Sequence, residues 1–228
     1  MQFLYHSQAG QKQLDISGQA YTHIYKAHRA SKSATLNLCN LQDDFMYVYK
    51  NTYINRNKAT LELLDSKAYR CKAQKPIHII WAIIEPKIIE KTLPILNELG
   101  VSKMSFFYAH FSQKNFTLNM ERMQKILIQS CEQCGRNELF TIEILTDLQE
   151  VLTRYPNALA FDIAGDEVNE SETLERLKEH RSVIIGPEGG FSKQERAIMK
   201  NRIKLQSNMI LRSQSATLFG ASVLKMIT

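Results

Sequence analysis

The segment 183–195 limits most strongly what this chain can fold into. The three β-branched residues Val183 to Ile185 predict a short buried strand. The Gly-Pro-Glu-Gly-Gly run at 186–190 predicts a tight turn, because glycine adopts positive φ and proline fixes φ. Ser192 and Glu195 form a capping-box pair that predicts the start of a helix. A strand, a glycine-rich turn and a helix in succession are typical of small-molecule sites in α/β proteins.

The glycine run lacks the residues of several well-defined sites. No Lys-Ser or Lys-Thr follows the glycines, which excludes a phosphate-binding P-loop. No Ser or Cys stands between them, which excludes a nucleophile elbow. The acidic Glu188 beside bare backbone favours a neutral or cationic ligand. A purely structural turn remains the alternative, with Glu188 stabilised by the helix N-terminus by roughly 0.3–1 kcal/mol.

The positive charge of the chain is concentrated in its first third. The net charge is +6; residues 1–75 carry 11 Lys or Arg against 5 Asp or Glu, and residues 76–228 carry 18 of each. This asymmetry predicts a small basic module that binds nucleic acid, joined to a neutral and larger module. The alternative is that the charge serves solubility. The polar segment at 72–76 marks the expected boundary, which divides the chain into domains 1–72 and 73–228.

Other classes of protein are disfavoured by what the sequence lacks. No apolar run reaches the roughly 20 residues that span a bilayer, and the N-terminus does not read as a secretory signal, so we expect a cytoplasmic protein with no membrane partner. Cys131 and Cys134 form a close pair, but no second close pair completes a zinc site. We therefore expect no metal.

Hydrophobic periodicity predicts two architectures in one α/β protein. Between residues 34 and 69, short alternating segments separated by Asn and Asp turns predict a small β-barrel. From residue 77 onward, apolar strands alternate with helical segments, which predicts a parallel sheet covered by helices. The strand that ends at Asp162 is expected to lead to an acidic surface segment.

A second polar loop, at residues 205–212, leads into a closing helix rich in small residues. Ser213 and Ser215 are candidate N-caps of that helix. Arg212 stands at the helix entrance, where a positive charge is unfavourable unless it faces an anion such as a phosphate or a carboxylate. A salt bridge between Arg212 and a surface acid remains the alternative.

These two loops carry a resemblance to the RsmE family, bacterial enzymes that methylate N3 of one uridine in 16S ribosomal RNA of the small subunit with S-adenosylmethionine. The matching motifs are Glu98 to Val101, Glu-Gln-Cys-Gly-Arg-Asn at 132–137, Ile-Gly-Pro-Glu-Gly-Gly-Phe-Ser-x-x-Glu at 185–195 and Ile-Leu-Arg at 210–212. His23 with Ile24 and Arg29 resembles the N-terminal motif of the family. The resemblance runs from one end of the chain to the other.

The resemblance implies a fold and a cofactor site. The implied fold is an N-terminal PUA-like β-barrel at 1–72 followed by a SPOUT α/β domain at 73–228, with a C-terminal trefoil knot and a homodimer whose partner closes each site. S-adenosyl-L-methionine is implied to lie in the knot. The implied cofactor-binding residues are Phe161, Asp162, Gly186, Pro187, Glu188, Gly189, Gly190, Leu205, Gln206, Ser207, Ile210, Leu211, Ser215 and Ala216.

The resemblance also suggests roles in chemistry and RNA binding. N3 of uracil pairs with adenine in a duplex, so the target must be unpaired or flipped and must lose its proton. Arg212 is the first candidate to stabilise the developing uracil anion or to bind a phosphate, and Arg136 is the second. The candidate RNA-binding residues of the basic module are His23, Lys26, Arg29 and Lys32.

The chain departs from the family pattern at four places. Gln214 stands where an acid is expected, Gln206-Ser207 where a Leu-Gly pair is expected, Met209 where an Arg is expected, and Ile95 where a Lys is expected. Two alternatives therefore stay open. One is a SPOUT-fold RNA-binding protein with weak or no catalysis, and the other is a SPOUT enzyme that methylates another RNA position, such as a ribose 2′-OH.

Overall fold

The computed structural model describes residues 2–27, 33–205 and 210–227. The chain forms two compact units. The first contains the residues up to Lys72 together with Ile128–Leu139, and the second contains Ala73–Leu127 and the residues from Phe140 onward. The segment Ile128–Leu139 therefore belongs to the N-terminal unit, although it lies far along the sequence within the predicted domain 73–228.

The first unit is built on a five-stranded sheet in the order β1-β3-β4-β5-β2. Its strands are β1 (Leu4–Tyr5), β2 (Gln13–Ser17), β3 (Leu36–Cys39), β4 (Phe45–Ile54) and β5 (Lys58–Ala68). The β1–β3 pair is parallel and the other pairs are antiparallel. The register of β4 against β5 shifts at two points, and such irregularities bend a strand pair.

Alternation along the strands builds the core of this unit. Leu14 and Ile16 of β2 point inward with Ala59 and Leu61 of β5, while their neighbours are exposed. A short helix, α1 (Gly18–Tyr21), follows β2 and continues as a π-helical turn to Ala27. The strand β2 was missed in the sequence because only two apolar residues mark its pattern.

The second unit contains a six-stranded parallel sheet in the order β11-β9-β10-β6-β7-β8. Its strands are β6 (His78–Ala82), β7 (Lys103–Phe107), β8 (Thr141–Leu145), β9 (Leu159–Glu167), β10 (Ser182–Ile185) and β11 (Arg202–Lys204). The helices are α2 (Pro86–Glu98), α3 (Met120–Cys134, which enters the first unit at Ile128), α4 (Leu148–Arg154), α5 (Glu170–His180), α6 (Lys193–Ile198) and α7 (Ser213–Ile227). Every residue of β6 is buried, as expected for an inner strand of a parallel sheet. The predicted mixed α/β fold is confirmed.

The acidic segment expected on the surface contains a helix, α5, which the sequence analysis did not predict. The Asn169 side chain accepts a hydrogen bond from the Glu172 amide and caps the helix. Glu170 and Glu172 lie in its first turn, where the helix dipole favours negative charge. The acidic composition therefore reflects a favourable helix N-terminus, which the sequence analysis did not take into account.

The pairing of β9 with β11 is interrupted, and this interruption shapes the site described below. Arg202 lies opposite Ala160, whereas the next residue, Ile203, lies opposite Asp166. A side chain at Gly165 would place its Cβ 2.5 Å from the Ile203 backbone, so only glycine permits this approach. The residues between Ala160 and Asp166 are thereby released from pairing with β11, although Phe161 still pairs with Ile185 of β10.

A polar network lies at the amino ends of the inner strands, away from the carboxyl ends where α/β proteins place their sites. The His78 Nε2 lies 2.7 Å from the Ser105 hydroxyl, and Ser105 in turn donates to the Glu143 carboxylate. The Tyr155 hydroxyl also donates to Glu143, at 2.6 Å. Burial, with a smaller effect of the nearby Lys103 ammonium, lowers the pKa of His78 to about 4. His78 is therefore a neutral, structural histidine.

The depressed pKa of His78 predicts that acidification destabilises the fold. Between its folded pKa of about 4 and the ordinary value of 6.5, the unfolded state binds more protons. Stability from this group is therefore complete above pH 6.5 and is lost as the pH falls toward 4. From pH 7 to pH 5 we expect the free energy of unfolding to fall by roughly 2 kcal/mol, measured by urea denaturation.

The variant His78→Gln isolates the contribution of this histidine. It keeps a donor toward Ser105 and leaves the other histidines to titrate, so its stability should fall markedly less between pH 7 and pH 5. An equal fall in the variant and the wild-type chain would contradict the assignment.

Candidate functional site

A cavity of about 220 Å³ lies beside the released segment of β9 and the carboxyl end of β11. Its walls are mostly apolar, and they are formed by Phe161, Asp162, Ile163, Lys204, Leu205, Ile210, Leu211 and Ala216. The structure thus brings together six of the residues predicted to bind a cofactor, which come from three separate places in the sequence. Gln206 and Ser207, also predicted, lie outside the described residues.

Asp162 is the single carboxylate of the cavity wall, and its charge is already compensated. Arg196 donates two hydrogen bonds to the two carboxylate oxygens, at 2.8 and 3.0 Å, and Arg202 donates a third at 3.3 Å. Burial raises the pKa of Asp162, but the hydrogen bonds from Arg196, the Ala164 amide and Arg202, together with the charge of Arg196, outweigh this effect and hold the pKa below its ordinary value. Asp162 therefore stays ionised and holds the strand segment in place.

The predicted glycine turn at 186–190 is present and follows β10. Gly186 and Pro187 are buried, whereas Glu188 and Gly189 are exposed. The Gly190 amide donates to the Pro187 carbonyl at 2.9 Å, with a positive φ of 69° at Gly190. A Cβ at Gly186 would lie 3.1 Å from the Phe191 ring, so this position favours glycine too. None of these five residues lines the cavity itself.

Two buried hydrogen bonds connect the glycine turn to the start of α7. The indole N–H of Trp81, at the carboxyl half of β6, donates to the Ser213 hydroxyl at 2.7 Å. The Ser213 hydroxyl in turn donates to the Gly186 carbonyl at 2.6 Å. Ser213 was expected to cap α7 but is used for this connection, and Trp81 was expected only as a core residue. The single tryptophan of the chain was the available signal for its role.

The helix α6 begins at the predicted capping box, and its glutamate makes one additional contact. The Ser192 side chain accepts from the Glu195 amide, and the Glu195 carboxylate accepts from the Ser192 amide at 2.8 Å. The second oxygen of Glu195 accepts from the amide of His110 at 2.8 Å. The loop after β7 is therefore held against the start of α6, a contact that local sequence patterns did not predict.

The two candidate catalytic arginines have different surroundings. Arg212 is exposed immediately before α7, and no acidic side chain among the residues that the structure describes forms an ion pair with it. Ser215, on the first turn of the same helix, is exposed as well. Arg136 is buried in the first unit, and its guanidinium contacts Glu138 at 3.0 Å. The surface salt bridge considered for Arg212 is thus not seen within the described chain.

The candidate RNA-binding residues lie in the first unit as far as they are described. His23 is partly exposed, with its Nε2 3.7 Å from a carboxylate oxygen of Glu132. The Lys26 ammonium is exposed and lies 6.0 Å from the centre of the Tyr21 ring. Arg29 and Lys32 lie outside the described residues.

Gln214 has a contact that explains why an amide stands at this position. Its Nε2 donates to the Thr92 hydroxyl of α2 at 2.9 Å. The Thr92 hydroxyl donates its own proton to the Ile88 carbonyl at 2.7 Å, so it can only accept from Gln214. A carboxylate at 214 would place two acceptors against each other. Among the other departures, Ile95 is an exposed residue of α2, and Met209 lies outside the described residues.

The described parts of the chain contain neither a cluster of metal ligands nor a membrane-spanning helix. No group of three or more His, Cys, Asp or Glu side chains could hold a metal ion there. None of the helices in these ranges combines the length and the apolar composition that crossing a bilayer requires.

Comparisons with known proteins identify sequence relatives over nearly the whole chain. Residues 71–225 match the model of the RNA methyltransferase domain family. A ribosomal RNA small subunit methyltransferase E of Helicobacter pylori (strain ATCC 700392 / 26695) is 43% identical over 228 residues, which cover 98% of this chain and 99% of the relative. The protein of the same name from Mesomycoplasma hyopneumoniae (strain 232) is 26% identical over 78% of this chain and 83% of the relative.

Solved structures share the fold over nearly the whole chain. A ribosomal RNA small subunit methyltransferase E from Neisseria gonorrhoeae, bound to S-adenosyl methionine, is similar with a TM-score of 0.79 at 20% identity and covers 99% of this chain and 97% of its own. A methyltransferase from Legionella pneumophila with bound SAM has a TM-score of 0.78 at 22% identity, with 99% and 97% covered. At these identities the similarity concerns the fold.

The two hydrogen bonds of the Ser213 hydroxyl predict different losses of stability when Ser213 and its neighbour Ser215 are replaced by alanine. Ser213→Ala leaves the buried Trp81 N–H and the Gly186 carbonyl without their shared partner, so we expect the free energy of unfolding to fall by roughly 1–3 kcal/mol. Ser215→Ala, in an exposed position on the same helix, should change it by less than about 0.5 kcal/mol. Urea denaturation of both variants measures this difference. Equal stability of the two variants would show that the connection contributes nothing.

Proposed function

The chain belongs to the RNA methyltransferase family that includes the ribosomal RNA small subunit methyltransferase E of Helicobacter pylori, and we propose that it transfers a methyl group from S-adenosyl-L-methionine to N3 of one uridine in 16S ribosomal RNA of the small subunit. The observation that carries this proposal is the 43% identity to that relative across both compact units. The chain thus shares both the unit that holds the cavity and the smaller basic unit. The cytoplasmic location follows as part of the same proposal.

The cavity suits the cofactor in its chemistry. Phe161, Leu211 and Ala216 offer apolar surface to an adenine ring and to the methionine side chain. The wall carries no unpaired carboxylate, because Asp162 is held by two arginines. The exposed Glu188 on the adjoining glycine turn is compatible with the positive sulfonium. When bound, the cofactor supplies an electrophilic methyl group whose departure leaves a neutral thioether.

Arg212 is the group to which we assign stabilisation of the substrate. As uracil N3 loses its proton, negative charge develops on the ring and its carbonyl oxygens. A guanidinium beside the start of α7, with no acidic partner in the described chain, can donate to such an oxygen or to the phosphate of the flipped nucleotide. An anion at this helix N-terminus is also favoured by the helix dipole. The remaining contribution to the rate is alignment of N3 with the methyl carbon.

Arg136 and the residues of the first unit are given other roles. Because Arg136 is buried and contacts Glu138, we assign it to holding the turn at 134–138 rather than to the chemical step. We propose that the first unit, as a PUA-like module with His23, Lys26, Arg29 and Lys32, binds ribosomal RNA through its phosphates, whose contacts fix orientation without reading sequence.

The remaining architecture proposed for this chain is a SPOUT trefoil knot and a homodimer. Support for the knot comes from the cavity wall, where Leu205 after β11 and Leu211 before α7 lie with Phe161 of β9. Support for the dimer comes from apolar side chains left exposed around the cavity and on α7, namely Ile163, Ile210, Phe219 and Met226. A second copy of the chain would cover such surface and close the cavity.

The direct test of this function is methyl transfer to unmodified small ribosomal subunits. With methyl-labelled S-adenosylmethionine, nucleoside mass spectrometry of the recovered RNA should detect labelled 3-methyluridine. A labelled 2′-O-methyl nucleoside would keep the enzyme class and contradict the proposed atom. RNA binding without label would favour the alternative of a non-catalytic RNA-binding protein.

The assigned role of Arg212 predicts a large loss of rate without a loss of cofactor. Arg212→Ala removes a donor that acts on developing charge, so we expect kcat to fall by about 10²–10³-fold. The Kd for S-adenosylmethionine, measured by calorimetry, should change by less than about threefold. Arg136→Lys serves as the comparison and should keep most of the rate. A wild-type kcat in Arg212→Ala would exclude the residue from the reaction.

The hydrogen bond between Gln214 and Thr92 distinguishes two explanations for why Gln214 replaces the acid expected at this position. If a catalytic acid had been lost there, Gln214→Glu would raise kcat. The structure predicts instead that kcat does not rise and that stability falls by about 1 kcal/mol, because Thr92 must give up one of its hydrogen bonds. Steady-state kinetics and urea denaturation of the same variant decide between them.

A further inference from the structure

The loop after β7, residues 108–116, presents an aromatic side chain to solvent next to the glycine turn. Phe111 is 51% exposed. A Cβ built on Gly189 would lie 3.1 Å from the Phe111 Cβ and 3.4 Å from its ring, so Phe111 packs directly on the bare backbone of the turn. The ring of His110 stands edge-on to that of Phe111, with 4.8 Å between centroids.

The loop is held rigidly although Phe111 is exposed. The His110 amide donates to Glu195, and the Ser112 amide donates to the Ala109 carbonyl at 3.1 Å. The Tyr108 hydroxyl donates to the carbonyl of Phe116 at 2.7 Å and closes the loop. The ring of Phe111 is therefore positioned before any ligand arrives, so stacking on it costs little ordering.

The chemistry of the substrate supplies an occupant for this exposed ring. A uracil whose N3 is to be methylated has left its base pair and its stack. Proteins that bind unpaired bases stack them on aromatic side chains. The Lys114 ammonium, 5.3 Å from the Tyr108 ring centre and exposed, adds a positive charge at the same loop for the nucleic acid backbone.

We propose that Phe111 is a positioning residue that stacks on the unpaired target uracil and holds it against the glycine turn, an inference that rests on the proposed methyl transfer to RNA. The uracil face lies on the ring of Phe111, and the edge that carries N3 is left accessible to the methyl group. A glycine at 189 lets Phe111 approach the turn this closely, because a Cβ there would lie 3.1 Å from the Phe111 Cβ and Phe111 would have to shift. His110 supports Phe111 from the side without contacting the base face.

The proposal predicts a specific kinetic pattern for Phe111→Ala. Loss of one stacking contact should weaken binding of unmodified small ribosomal subunits, and raise KM for them, by about 5- to 150-fold, with a much smaller change in kcat. Phe111→Tyr should restore both values to within about threefold of the wild type. Leu174→Ala, which removes a similarly exposed apolar side chain from α5, should behave as the wild type.

A spectroscopic variant reports the stack directly. Trp81 is the only tryptophan and is fully buried, so Phe111→Trp adds a single exposed reporter to the full-length chain. Addition of unmodified subunits should quench its fluorescence well beyond the change seen for the wild-type chain. No additional quenching, with binding intact, would overturn the proposal.

Two further results of these measurements would overturn the proposal. If Phe111→Ala lost affinity for S-adenosylmethionine, the ring would belong to the cofactor pocket and the proposal would fail. If Phe111→Ala bound subunits as tightly as the wild type, it would fail too. Because the affinity ratio does not need turnover, the effect of Phe111→Ala on subunit binding is measured whether or not methyl transfer is detected, so a failure of the stack and a failure of the proposed function give different results.

Discussion

The hydrogen bonds from Trp81 to Ser213 and from Ser213 to Gly186 are the interaction on which the rest of the site depends. They join an inner strand to the glycine turn and to the first residue of α7, both of which lie more than 100 residues after Trp81 along the chain. All the groups involved are buried, so their positions are fixed by hydrogen bonds that water cannot replace. The start of α7 is thereby held in place, and Ala216 of this helix forms part of the cavity wall.

The ion pairs of Asp162 fix the opposite wall in a comparable way. The released residues of β9 between Ala160 and Asp166 have no partners on β11, although Phe161 still pairs with Ile185 of β10. Arg196 from α6 and Arg202 from β11 both bind the Asp162 carboxylate. The Asp162 carboxylate thus fixes the position of the cavity wall, and the surface that the wall presents to a ligand is mostly apolar. The charge that we propose for the chemical step is that of Arg212.

Features that depend on local patterns could be predicted from the sequence, and features that depend on pairing could not. Apolar strands such as 77–84 and the capping box at Ser192 were predicted because their signals lie within a few residues. The strand β2 was missed because it is short and half polar, and α5 was missed because its many acids resemble a surface loop. The placement of Ile128–Leu139 in the first unit depends on long-range contacts, which no local pattern reveals.

The same difference between local and long-range signals holds for the candidate site. The cavity residues Phe161, Leu205 and Ala216 were predicted from the resemblance to a family. Nothing in their spacing along the sequence indicates that they meet in the fold. Trp81, Arg196 and the ring of Phe111 were not predicted, because each acts through a partner far away in sequence. Gln214, which suggested a defect, is explained only by the hydroxyl of Thr92.

The central claim is that the cofactor binds in the cavity lined by Phe161, Asp162, Leu211 and Ala216. A crystal structure of the full chain with S-adenosylmethionine tests it most directly. We predict electron density for the cofactor against Phe161, Leu211 and Ala216, with the methyl group directed toward Arg212. Density for the cofactor at any other place, with this cavity empty, would contradict the account.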